Sequence, residues 1–197
     1  MCQCPLCVEC WHNTGPEQWK QMFLMFHESG IFIALCQHQF VLLACNMVKS
    51  GELYISFAKY PLAIISKLLS VYSQNGGCVY DISCAFSTTL QNSSLGPQVE
   101  DLKLCIMVGT FHGHAHNHMC QLEWHPQYIW GTGHTEGEGC EHVFATLNKL
   151  ARSTRHAMLF HHHQAIEQHF AFWNADKYAA LSALFLNSCS VNLNICR

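Results

Sequence analysis

Blocks of hydrophobic residues with changing periodicity divide the chain. Thr14-Gly15-Pro16-Glu17 has the form of a capping box with proline near the first helical turn, so a helix is predicted through QWKQMFLMFHE, ending at Gly30. The next run, IFIALCQHQFVLLACNMV, is rich in Ile, Phe, Val and Leu and is broken by Gln37-His38. It predicts two strands. Pro61 opens a second helix, LAIISKLLSVYS, with Gly76-Gly77 as its stop. CVYDISCAF reads as a short strand with one acid, SSLGPQ as a turn, and KLCIMVGTF as a further buried strand. A glycine-rich loop, GTGHTEGEG, precedes apolar residues at Val143, Phe144, Leu147, Leu150 and Ala151, which form a helical stripe. More helix follows through HHHQAIEQHFAFW and DKYAALSALFL. The predicted class is therefore mixed α/β, strands first and helices later. No internal repeat or dividing linker is evident.

Composition narrows the classes. Half of the 197 residues are hydrophobic and 12% are charged, which allows a buried core and argues against general disorder. The net charge of −3 lacks the basic surplus of a self-sufficient DNA-binding domain. Contact with nucleic acid would then need a local patch, a divalent metal or additional segments. The 13 cysteines are odd in number, and the chain shows neither a secretory signal nor an apolar run of the ~18 residues a membrane span needs. A disulfide scaffold is not expected; most cysteines read as small buried hydrophobes. Cys2, Cys4, Cys7 and Cys10 contain two C-x-x-C pairs, a zinc-knuckle element compressed into nine residues or an ordinary frayed terminus.

Two features carry candidate chemistry. Asp81 is a lone acid on an apolar strand, either a turn cap or a ligand for a hard cation with Glu136, Glu138 or Glu141 as partner. A carboxylate in the Glu136–Glu141 region has a competing use, since a helix N-terminus favours negative charge. HGHAHNHMCQLEWH sets His112, His114, His116 and His118 at alternate positions. On a strand they would share one face, where Zn²⁺ could collect. His161-His162-His163 fan around a helix and read as a solvated turn.

Ordered motifs then point to one family. ESGIFIALCQHQFVLLACNMVKSGEL, AKYPLA, YDISCAFSTTL, SSLGP, FHGHAHNHMCQLEWHP, GCEHVFATLNKLA and DKY occur in that order and resemble the Kyakuja-Dileera-Zisupton (KDZ) transposases over roughly residues 19–185. The resemblance divides the chain into a cysteine-rich segment 1–18, a partial transposase domain 19–185 and a divergent tail 186–197. It implies an RNase H-like core similar to the hAT transposases, two Mg²⁺ or Mn²⁺ ions on three carboxylates, DNA transposon ends as partner, a nuclear location and room for oligomerisation. It makes Asp81 the second acid and Glu141 the third, with Glu138 the alternative. Asp81 and Glu141 would be the metal ligands. His112, His116, Asn117 and Cys120 fall on the family's positions and would contact DNA or the active site, whereas His114 and His118 are not required.

The chain departs from the family pattern in several places. The strand with the first acid lies upstream of the residues present, so the expected core lacks its first strand and the carboxylate set is incomplete. Gln37 and His142 replace arginines, Asn46 replaces an aspartate, and Tyr54–Phe57 is an insertion. The reading is a fragment or decayed copy of a DDE-type transposase, inactive as it stands. The alternatives are a zinc-dependent nucleic-acid or protein adaptor using Cys4, Cys7 and Cys10 or the histidine cluster, and a non-functional structural remnant.

Overall fold

The computed structural model describes residues 27–48, 58–72, 74–133 and 135–195, with backbone alone from 185 onward. The four N-terminal cysteines, most of the predicted first helix and the insertion at 54–57 lie outside these residues. The chain forms two compact units, one from residues 1–33 and 43–138 and the other from 34–42 and 139–197.

Strand β1 (Glu28–Leu35) pairs with β2 (Val41–Val48) as one two-stranded sheet. The polar break at Gln37-His38 is the turn between them, as its sequence predicts. Cys36 donates to the Phe40 carbonyl at 3.1 Å, and Gln39 adopts a positive φ of 66°. The predicted helix through Glu28 to Gly30 is overturned at its described end, because these residues already belong to β1. Hydrophobic Ile, Phe and Leu immediately beyond Gly30 draw the chain into the extended pairing.

In the first unit, helix α1 (Lys59–Val71) carries Pro61 in its first turn and buries Pro61, Ile64, Ile65 and Leu69 along one stripe. It ends at Tyr72, before the paired glycines. Strand β3 (Gly77–Val79) then pairs in parallel with β4 (Cys105–Met107), in register Gly77–Cys105, Cys78–Ile106 and Val79–Met107. Parallel neighbours need a crossover connection. Helices α2 (Ser83–Gln91) and α3 (Gly96–Asp101) supply it.

One strand prediction shrinks as a result. CVYDISCAF is a strand only to Val79, and its Ser83 onward is helical. SSLGPQ turns as expected but starts α3 at Gly96, with Pro97 in its first turn. The hydrophobic content of residues 82–90 serves one face of α2, where Cys84, Phe86, Ser87 and Leu90 are buried.

Ile65, Leu69, Phe86 and Leu90 form the core of this unit, surrounded by Leu62, Cys78, Tyr80 and Ile106 among others. Tyr80 meets Phe86 edge to face at 5.4 Å between ring centroids. Cys78 is half-buried as a residue, yet its thiol packs on this core and burial pushes its pKa up to about 11. Burial also raises Cys105, so both strand cysteines stay protonated and act as small hydrophobes. None of the seven described cysteines outside the backbone-only segment is in a disulfide.

In the second unit, α6 (Gly139–Thr154) packs against α7 (Leu159–Ile195). Val143 and Leu147 of the predicted stripe are buried, whereas Ala151 is exposed. The turn 36–40 is held by α7. Asn174 accepts from the Val41 amide at 2.8 Å and donates to the Val41 carbonyl at 3.1 Å. Trp173 donates to the Gln39 carbonyl at 2.7 Å, and Lys177 reaches the Gln39 side chain at 2.7 Å while lying over the Trp173 ring. These contacts satisfy backbone groups that a strand end would otherwise leave open. No described helix is long and apolar enough to cross a membrane.

The mixed α/β class is thus present. The described strands form two sheets of two strands each.

Candidate functional site

The C-terminal ends of β3 and β4 lie side by side because the two strands are parallel. Both feed turns that carry polar side chains, the usual location of ligand sites in open parallel sheets. After β3, Asp81 sits on the turn before α2, one step beyond the strand end expected for it. Buried Ser83 fastens this turn. Its hydroxyl lies 2.8 Å from both the Tyr80 and Met107 carbonyls, and the Tyr80 amide donates to Met107 at 2.9 Å. The Asp81 backbone is therefore tied to both strands while its side chain remains about half exposed, at 51%.

After β4 the chain does not continue as a strand. Gly109 leads into a single helical turn, α4 (Thr110–Gly113), and after the bend at 114–117 helix α5 (His118–Trp124) begins. The expectation of four histidines on one strand face is therefore overturned. Gly113 and Asn117 punctuate the segment. The Asn117 side chain caps α5 by accepting from the Cys120 amide at 3.0 Å. Helical and turn geometry scatters the alternating histidines: His112 and His116 are half-buried, while His114 and His118 are exposed. His125, last of the group, is buried; its Nδ1 accepts from the Gln127 amide at 3.2 Å. Replacing Asn117 by Ala is expected to cost about 0.5–2 kcal/mol, measured by urea denaturation.

The first constellation gathers Asp81, His112 and Glu138. His112 Nδ1 lies 3.6 Å from Asp81 Oδ1 and 3.1 Å from Glu138 Oε2. Glu138, from the glycine-rich loop, is anchored: its Oε1 accepts from the Phe111 amide at 3.0 Å. The loop itself is bound to α4, since Thr110 donates through its amide to Glu136 at 2.8 Å and through its hydroxyl to Thr135 at 3.0 Å. Two glycines are required here. Gly137 has a φ of +77° and approaches the Val79 side chain, and a Cβ on Gly109 would stand 2.6 Å from Glu138 Oε1. Gly109→Ala must displace the Glu138 carboxylate. The expected result is loss of the bond from the Phe111 amide to Glu138 and a stability cost of about 1–3 kcal/mol, read by urea denaturation.

The second constellation gathers Cys84, His116 and Cys120, whose ligand atoms all lie within 4.8 Å of one another. Both cysteines are buried, and Cys84 Sγ is 3.5 Å from His116 Nδ1. Burial lowers the pKa of His116. A bond to the Asp81 backbone carbonyl and the Asp81 charge oppose that shift, and His112 adds to it. The trio has the donor types and span of a soft-metal site.

Several expected site residues thus meet within the first unit: Asp81, His112 and Glu138 in one group, His116 and Cys120 in the other, with Asn117 supporting the second as a helix cap. Cys84 was present in the YDISC motif without being singled out. Its signal was a cysteine three residues beyond a candidate acid, in the first turn of α2. Glu141 stands in the first turn of α6 in the second unit. Cys4, Cys7 and Cys10 lie outside the described residues.

The model of the Kyakuja-Dileera-Zisupton (KDZ) transposase family matches the chain over residues 3–174. The chain belongs to the KDZ transposase family. The match takes in both constellations of this KDZ protein, together with β1, β2, all of α6 and the N-terminal part of α7. No curated protein and no solved structure matches it.

Proposed function

We propose, in place of the inactive state expected from the incomplete carboxylate set, that this KDZ chain is a transposase-derived protein whose Asp81–Glu138 pair holds a divalent cation for DNA phosphodiester cleavage at transposon ends, within an RNase H-like arrangement. One observation carries the reading: two carboxylates converge on one imidazole beyond the C-terminal ends of adjacent parallel strands. The donor set fits a hard cation, which prefers carboxylate oxygens; the imidazole of His112 shifts the preference from Mg²⁺ towards Mn²⁺. When bound, such an ion supplies charge neutralisation at the phosphoryl oxygens and activation of the attacking oxygen.

The residues of the chain have separate parts. Asp81, half exposed on a fastened turn, offers a carboxylate that a substrate can reach. Glu138 is more enclosed, with 17% of its side chain exposed, and orients His112. His112 stands between both acids, its Nδ1 3.6 Å from Asp81 Oδ1 and 3.1 Å from Glu138 Oε2. Glu141 is the competing third acid, and its first-turn position on α6 equally suits the helix dipole. In a DNA-bound state the local cation offsets the overall negative charge that would otherwise repel phosphates.

The test is Mn²⁺ binding to the full chain with parallel nicking of supercoiled plasmid DNA. Retention of binding and nicking in Asp81→Asn would remove Asp81 from the site. Glu138→Gln and Glu141→Gln separate the two late acids, since the ligand is the one whose loss weakens Mn²⁺ binding.

A further inference from the structure

The Cys84–His116–Cys120 cluster lies beside the acid group and uses none of its side chains. One of its separations has the length a zinc site needs. Zn–S bonds of about 2.3 Å and Zn–N bonds of about 2.0–2.1 Å in a tetrahedron place sulfur and nitrogen about 3.5–3.6 Å apart. The observed separation of Cys84 Sγ and His116 Nδ1 is 3.5 Å. A thiol hydrogen bond to imidazole would also span this distance, but it needs only two groups. The third donor, Cys120, is 2% exposed and is brought to the same point by α5.

Three different segments contribute. Cys84 comes from the first turn of α2, His116 from the bend after α4, and Cys120 from α5. Asn117, which caps α5 through the Cys120 amide, fixes the last of these.

We propose that Cys84, His116 and Cys120 bind one Zn²⁺ ion as a clip that joins the Asp81-bearing turn and α2 to α5. The fourth tetrahedral position belongs to solvent, on the half-exposed side of His116. Binding releases the two thiol protons of Cys84 and Cys120 to solvent and uses neutral His116. Two thiolates and Zn²⁺ then sum to zero charge, so the ion can sit among buried groups without leaving an uncompensated charge. The clip stands on its own geometry; its consequence for Asp81 rests on the function proposed above.

The experiment is titration of the metal-stripped full chain with Co²⁺ as a spectroscopic stand-in for zinc. The background carries Cys→Ser changes at Cys2, Cys4, Cys7 and Cys10, which removes the compact N-terminal cysteine set. One equivalent of Co²⁺ is expected to bind with tetrahedral visible bands and a thiolate charge-transfer band in the near ultraviolet. Cys84→Ser or Cys120→Ser is expected to halve that band. His116→Gln, at a half-buried position, should keep the far-ultraviolet circular dichroism and weaken Co²⁺ at least about tenfold. Absence of a cobalt band in the background protein overturns the proposal, as does a band unchanged by the three substitutions. Asp81→Asn should leave the band intact, so loss of DNA cleavage and loss of the clip are read separately.

Discussion

Asp81→Asn is expected to abolish measurable Mn²⁺-dependent DNA nicking, a loss of at least about a hundredfold. The substitution keeps the size of the side chain and removes its charge. The Asp81 backbone is secured independently, through Tyr80, Ser83 and the Met107 carbonyl, so the turn should survive the change. What is lost is one of two carboxylate charges facing His112. Each factor of ten in rate corresponds to about 1.4 kcal/mol of barrier, and losing a charged ligand to a divalent ion readily exceeds two such steps. Mn²⁺ affinity should fall in parallel, while thermal unfolding of the metal-free protein stays within about 1 kcal/mol of the parent, because the Asp81 side chain is half exposed. Nicking at the parental rate would exclude Asp81 from the chemistry. A large loss of stability without metal would instead identify it as a turn cap.

Leu90→Ala is expected to have the largest effect on stability, about 2–5 kcal/mol. Leu90 is 1% exposed, and lies in the cluster with Ile65, Leu69 and Phe86. Truncation removes the transfer energy of its branched end and leaves a cavity among side chains on α1 and α2 that cannot all collapse into it. A domain's total stability is about 5–15 kcal/mol, so this single change removes a large share. The effect reaches the site through α2, whose first turn holds Ser83 and Cys84. Urea denaturation is the measurement, with an unchanged m-value as the sign that the native and unfolded states keep their compactness. A loss below about 1 kcal/mol would mean that the four-residue cluster is not the core of this unit.

Much of the local architecture was legible in advance. The break at Gln37-His38 between apolar runs marked the turn between β1 and β2, since polar residues interrupt an otherwise continuous strand signal. Pro61 marked the first turn of α1, and Val143 and Leu147 marked the buried stripe of α6. Less legible were segments where a short apolar run is compatible with either period. CVYDISCAF and KLCIMVGTF each read as one strand, yet only two residues of the first and three of the second pair in the sheet. Runs this short do not separate a strand from the buried face of a helix.

Sequence alone determined the chemical inventory and the family. It placed Asp81, His112, His116, Asn117, Cys120 and Glu138 among the candidates, because ordered motifs preserve residue types at fixed intervals. Tertiary structure decided which of these lie together. The parallel pairing of β3 and β4 brings the ends of segments nearly thirty residues apart into one place, so Asp81 meets His112. The Phe111 amide then holds Glu138 against the same histidine. The bend at 114–117 separates histidines that alternation had aligned and carries His116 to Cys84. A period-two pattern fixes one face only while the chain remains extended. Gly109, Gly113 and the Asn117 cap end that extension, and spatial convergence replaces spacing as the rule for the site.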